Sequence, residues 1–192
     1  VYWLSQYTNP GNPTAHERST APAVLAAFGR VDYLVVGVGT SGTLMGCVDY
    51  FRRWSPQTRI VAVDALGSVN FESTAAHRFI PGLGASRRAE LLDPYAPDDV
   101  VLVPEWETVR DCRWLAASTG FLAGGSTGTV VAAVRRLARE IPDDATVVAI
   151  APDLGERYLS TVYDDAWTAE RGLDRPGRVS AQLLERQRDV LV

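Results

Sequence analysis

Six residues, Gly37-Val38-Gly39-Thr40-Ser41-Gly42, stand between a short apolar run and an amphipathic stretch, and they restrict the fold more than any other part of the chain. The run Tyr33–Val36 reads as a strand without a polar face, so both of its faces must be covered. The stretch 42–54 reads as a helix. A strand that passes through a glycine turn directly into a helix is half of a parallel β-α-β unit. The alternation continues, with further strands predicted at Arg59–Val63, Val100–Val103 and Thr146–Ile150 and helices at 14–28, 105–118 and 127–140. The expected fold class is α/β, a three-layer sandwich with a mostly parallel sheet. Residues 67–98, rich in Gly, Ser and Pro, read as an irregular and functional loop. Past Gly172 the chain turns polar, so 1–170 reads as the domain and 171–192 as a tail, with a short helical segment at 179–191.

Composition narrows the function. Hydrophobic content of 46% and charged content of 22% over 192 residues are those of a globular protein with a full core. A net charge of −4, with no basic stripe, argues against nucleic acid. No apolar run approaches membrane-spanning length, and the N-terminus does not read as a signal peptide. Cys47 and Cys112 show neither metal-ligand spacing nor a disulfide framework, so no metal site is expected and reduced thiols of a cytoplasmic protein are. All 19 basic residues are arginine. Without lysine, the chain has no side-chain amine for a Schiff base. It begins at Val1 inside sequence that already reads as structured, which leads us to expect a fragment of a longer chain.

The glycine loop supports more than one ligand. G-x-G-x-x-G after a strand, with Asp64 ending the next strand 22 residues beyond Gly42, satisfies a dinucleotide-binding fingerprint. Thr40, Ser41 and Thr43 instead add three hydroxyls to the unpaired amides of a helix start, which suits a compact phosphate monoester. A Gly/Thr-rich turn that binds nothing is the bland alternative. A second segment, Gly125-Ser126-Thr127-Gly128-Thr129, repeats the pattern of Gly39-Thr40-Ser41-Gly42-Thr43 and also opens a helix.

Five segments, in order, resemble the cysteine-synthase family of fold-type II pyridoxal-phosphate enzymes. They are Gln6-Tyr7-Thr8-Asn9-Pro10-Gly11-Asn12-Pro13, Gly39 to Thr43, Ile80-Pro81-Gly82-Leu83-Gly84-Ala85, Ala123 to Gly128, and Pro152-Asp153-Leu154-Gly155-Glu156-Arg157-Tyr158 with the residues to Thr161. The resemblance runs from about Val1 to Trp167. Within the family, Val63 to Val69, Ile80 to Arg88 and Gly124 to Val131 look most like the branch that makes N-(2-amino-2-carboxyethyl)-L-glutamate from O-phospho-L-serine and L-glutamate, toward 2,3-diaminopropionate for siderophores or antibiotics. Sulfide as acceptor, as in cysteine synthase, is the alternative within the family. A dinucleotide-binding module and a non-catalytic, lysine-free relative are alternatives outside this chemistry.

The resemblance implies pyridoxal 5′-phosphate and a β-replacement, in which the α-proton and the β-substituent leave and a nucleophile takes the β-position. It implies that Gly39, Thr40, Ser41, Gly42 and Thr43 hold the cofactor phosphate and that Ser126 meets the pyridine nitrogen. On its own context Ser126 also reads as the N-cap of helix 127–140. Gln6 is implied at the substrate carboxylate, with Gly82 and Gly84 allowing close backbone approach and Ser86 and Arg87 near an acidic acceptor. Asp153 is expected near the ring edge, Glu156 and Arg157 as an ion pair fixing their loop, Tyr158 and Trp167 in packing, and His16 and His77 as structural histidines. The family's Schiff-base lysine and its Thr/Ser-Ser-Gly-Asn loop belong to an N-terminal segment without counterpart here. Small amino-acid substrates and a homodimer complete the expectation.

Overall fold

The computed structural model describes residues 3–72 and 74–175. Four strands, β1 (Tyr33–Gly37), β2 (Arg59–Ala65), β3 (Asp99–Val103) and β4 (Val147–Ala149), form one parallel sheet in the order β3-β2-β1-β4. α3 (Gly42–Trp54) follows β1, α4 (Glu105–Thr119) and α5 (Gly125–Leu137) lie between β3 and β4, and α6 (Asp165–Glu170) comes after β4. The predicted strands and the three later helices are all present, each within a few residues of its expected bounds. Among the described residues, the segment 67–98 contains no helix or strand. The tail predicted from 171 lies largely outside the described residues, and its helical segment 179–191 lies wholly outside them.

The predicted helix 14–28 is two helices, α1 (Gly11–Arg18) and α2 (Thr20–Phe28), broken at Ser19 (φ −126°, ψ −63°). Pro22 explains the break: it has no N–H to return to the preceding turn, and its ring tolerates only the first turn of a helix.

Alternation along the strands builds the three layers. Leu34, Val36, Ile60 and Ala62 point to one face, where Leu44, Cys47, Val48 and Phe51 of α3 and Ala21 of α2 cover them. Val35, Val61 and Val63 point to the other, under Val130, Ala132 and Ala133 of α5. α4 packs outside α5, with Val109 and Cys112 in a third cluster that also takes Ala123 and Val162. α1 lies across α3 at Gly46, where a side chain would overlap the Pro13 carbonyl and the His16 β-carbon. The two backbones touch there because residue 46 has no side chain.

Candidate functional site

From β1 the sheet grows through β2 to β3, and the chain then returns to add β4 on the other side of β1. The switch point between β1 and β4 opens a crevice beyond the carboxyl ends of the strands, where α/β sheets accept ligands. Two helix N-termini stand at this end: α3, reached from β1 through Val38–Ser41, and α5, beside the segment that leaves β4. Their sequences are alike, but their starts differ physically.

The start of α3 is open. No side chain caps it, and its N-cap, Ser41, sits in the left-handed region at φ 69°. That conformation costs a residue with a side chain about 1–2 kcal/mol. Ser41 is 2% exposed, yet its Oγ has no hydrogen-bond partner among the described residues. A buried hydroxyl without a partner carries a desolvation cost, which an anion at the helix start would relieve together with the unclaimed amides. The flanking hydroxyls are steadied from outside: Asn12 Nδ2 donates to Thr40 Oγ1 (3.2 Å), and His16 Nε2 is hydrogen-bonded to Thr43 Oγ1 (3.2 Å). His16 is fixed in turn through Nδ1 to Thr20 Oγ1 (2.9 Å), and burial lowers its basicity, favouring the neutral ring. It is a structural histidine, as expected, but its hydrogen bonds lead into the loop.

The start of α5 is closed. Ser126 is not its N-cap; the helix begins at Gly125 after Gly124, which leaves Ser126 inside the first turn. The cap comes from Asp153, whose carboxylate accepts from Thr127 N (2.8 Å), Ser126 N (3.2 Å) and Thr127 Oγ1 (2.9 Å). An anionic ligand has no place there, because the protein's own carboxylate occupies it. Ser126 is 4% exposed, and its Oγ makes no hydrogen bond among the described residues.

The loop Ile80–Ala85 joins the two starts. Gly84 N donates to Val38 O (2.9 Å), Leu83 packs on Gly37, and the Gly82 carbonyl lies against Gly39. Gly82 has φ 114°, and a methyl group there would overlap Ser126 Oγ, so only glycine fits between them. Glu105 anchors the loop by accepting from Phe79 N (2.7 Å) and Ile80 N (2.6 Å), and burial pushes its carboxyl up from the usual range.

The expected residues therefore separate into groups. Gly39, Thr40, Ser41, Gly42 and Thr43 are together at the α3 start, with Gly82 bridging to Ser126. Gln6 is exposed and connected through its carbonyl, which accepts from Asn12 Nδ2 (2.8 Å). Arg87 points to solvent and pairs with Glu90, so it does not join the group. The cation in place is Arg78. It lines a cleft of about 300 Å³ with Gly82, Leu83, Gly84 and Ser86, and donates to Gly67 O (3.1 Å), Ala85 O (3.2 Å) and Ser86 Oγ (3.4 Å). Among the described residues no carboxylate forms an ion pair with Arg78, and Glu156 and Arg157 form none with each other, so the expected Glu156–Arg157 pair is not among their ion pairs. Tyr158 does more than pack: its Oη donates to Asp153 Oδ2 (2.8 Å). Sequence reasoning passed over Asn12, Arg78 and Tyr158 as site residues, although Asn12 stands in the Asn-Pro-Gly-Asn-Pro segment. Asp64, the acid of the dinucleotide reading, is fully buried and out of reach of a ribose.

Comparison with known proteins gives the site a family context. The family model described as pyridoxal-phosphate dependent enzyme matches residues 1–153. The chain is 43% identical over 176 residues, 91% of its own length and 52% of the relative's, to the N-(2-amino-2-carboxyethyl)-L-glutamate synthase of Ralstonia nicotianae. It is 43% identical over 171 residues, 87% and 50% of the two lengths, to the same-named protein of Cupriavidus metallidurans. A crystal structure of O-ureido-L-serine synthase superposes with a TM-score of 0.78 at 36% identity, covering 85% of this chain and 55% of that one. The chain thus spans about half the length of the curated relatives it matches.

Proposed function

We propose, from the premise that the chain belongs to the pyridoxal-phosphate dependent enzymes, that residues 1–170 are the phosphate-holding domain of a β-replacement enzyme joining O-phospho-L-serine to L-glutamate. The product of this reading is N-(2-amino-2-carboxyethyl)-L-glutamate, and pyridoxal 5′-phosphate is the cofactor. One observation carries the assignment of the phosphate: the buried, unpartnered Ser41 Oγ at an uncapped helix start, contrasted with the capped start of α5.

When bound, the cofactor supplies the electron sink that lets the α-proton and the β-substituent of an amino acid leave. The chain's own residues hold and orient. The first-turn amides of α3 and the hydroxyls of Thr40, Ser41 and Thr43 take the phosphate oxygens, with Asn12 and His16 keeping two of those hydroxyls in place. Ser126 offers a hydroxyl to the ring nitrogen. Gly82 presents backbone to the bound amino acid, and Gln6 an amide to its carboxylate. The amine that forms the Schiff base comes from outside these 192 residues, since none of them is lysine.

Glutamate as acceptor brings a carboxylate that sulfide lacks. Arg78 supports the glutamate reading, because its guanidinium lies in the cleft beside Ser86 and, among the described residues, no carboxylate forms an ion pair with it. Sulfide chemistry of the cysteine-synthase type is the second reading. Among the described residues no helix is long and apolar enough to cross a membrane. A cytoplasmic homodimer acting on small amino acids belongs to the same proposal.

Titration of pyridoxal 5′-phosphate into the protein carrying this chain tests the site. Ser41→Ala should weaken binding by about tenfold, the effect of one lost hydrogen bond to a charged group. With O-phospho-L-serine as donor, glutamate should be consumed in preference to sulfide, and Arg78→Gln should raise KM for glutamate while leaving that for sulfide unchanged. A protein that binds no pyridoxal 5′-phosphate, or that turns over sulfide and ignores glutamate, overturns the reading.

A further inference from the structure

We propose that Asp153 and Tyr158 are positioning residues that together fix Ser126 Oγ toward the ring nitrogen of the cofactor, an inference that rests on the cofactor reading above. Asp153 leaves the sheet just after β4 and turns its carboxylate across the crevice onto the first turn of α5. Four donors converge on it: Ser126 N, Thr127 N, Thr127 Oγ1 and Tyr158 Oη. Thr127 Oγ1 also lies within hydrogen-bonding distance of Asp153 O (2.7 Å) and Asp153 N (3.3 Å), so backbone and side chain are locked to the same residue of α5.

A helix cap alone does not explain this arrangement. Capping needs a carboxylate and the first amides, and Thr127 N and Ser126 N already supply that. Tyr158 adds a contact of a different kind. It arrives from the turn after β4, its ring edge lies where a side chain at Gly125 would stand, and its hydroxyl reaches both Asp153 Oδ2 and, at 3.5 Å, Pro81 O. Burial, reinforced by the Asp153 carboxylate, pushes the phenol well above its ordinary range, so it stays protonated and acts as a donor. One end of this pair holds the helix turn that carries Ser126; the other meets the loop whose Gly82 presses on Ser126 Oγ. Ser126 is held from both sides, while its own hydroxyl has no hydrogen-bond partner among the described residues. A hydroxyl immobilised and unclaimed in this way is ready for a ligand acceptor at one fixed place.

The test uses the protein carrying this chain, loaded with cofactor labelled with ¹⁵N in the ring, and reads the ring-nitrogen chemical shift and the visible absorbance without turnover. Ser126→Ala should move both signals. Tyr158→Phe, which removes a single oxygen, and Asp153→Asn should move them in the same direction and weaken cofactor retention by about three- to tenfold. Adding either change to Ser126→Ala should produce no further shift, because all three act through one hydroxyl. Should Asp153→Asn not fold, Tyr158→Phe alone carries the comparison. Variants that lose thermal stability but keep the wild-type nitrogen shift, or whose shifts add to that of Ser126→Ala, overturn the inference and leave Asp153 as a helix cap only. A wild-type protein with no cofactor spectrum overturns the cofactor reading itself, and this inference with it.

Discussion

At the scale of single residues, Asp64 has the most measurable consequence. It is the penultimate residue of β2 and has no exposure, Oδ1 accepts from Ala65 N (2.8 Å), and Oδ2 has no partner among the described residues. Burial pushes its carboxyl up to about 7 from an ordinary 3.8, with the charge of Arg78 offsetting only part of the effect. A carboxyl whose pKa is raised in the folded state favours folding while it is protonated, and that contribution is lost as pH rises toward 7. Asp64→Asn removes the titration and keeps the shape. The variant should match the wild type near pH 4 and become the more stable of the two by pH 8, by on the order of 4 kcal/mol at most. Urea unfolding at the two pH values measures this, and a pH-independent difference would show that the carboxyl is not held in its neutral form. The residue scale was also the least legible in the sequence. Arg87 and Arg78 are both arginines in one irregular loop, and nothing local tells which faces the cleft. Asp153 acts on Ser126 and Thr127, more than two dozen positions away, and such contacts exist only once β4 is beside β1.

At the scale of elements, α4 and α5 are held together by charge as well as by apolar packing. Glu107, almost fully buried, takes Arg136 through both oxygens (2.9 and 2.5 Å), and Arg136 also donates to Leu102 O of β3 (2.7 Å). Next to it the buried Asp111 pairs with Arg110 (2.6 Å) and Arg135 (2.9 Å). Removing one member of a buried pair strands the other, so Glu107→Ala should cost roughly 3 kcal/mol, whereas Glu107→Leu with Arg136→Met should restore most of it. Denaturant midpoints of the single and double variants decide between these outcomes. Elements were the most legible scale. The strands were short apolar runs bounded by Gly, Pro or charge, and period alone located α3 and α4. Pro22 lay in plain view within the predicted helix 14–28, yet alanines on both sides of it suggested continuity. The N-terminus of α5 was placed two residues late for a related reason: Ser126 has the chemistry of a local cap, but the cap is supplied from elsewhere in the chain.

At the scale of the molecule, all positive side chains are guanidinium groups or histidine rings, and none can form an imine. Borohydride treatment of the cofactor-loaded protein, followed by peptide mapping, should therefore find the reduced adduct on no side chain of residues 3–175. An adduct on one of them would contradict the assignment of this domain as phosphate holder rather than Schiff-base former. The architecture followed from the alternation of runs and helices, whereas the difference between two nearly identical helix starts depended on what the rest of the fold brings to each.

The close passage of α1 over α3 at Gly46 has a consequence for how such chains can diverge. The helix that begins at the proposed phosphate seat and the segment that carries Asn12 and His16 are in backbone contact there, and any larger residue at 46 forces them apart. Separation would withdraw the hydrogen bonds to Thr40 and Thr43 together. Among related sequences, position 46 should therefore change only in company with positions 12, 13 and 16, and a substitution at 46 alone should mark a lineage that has released the phosphate.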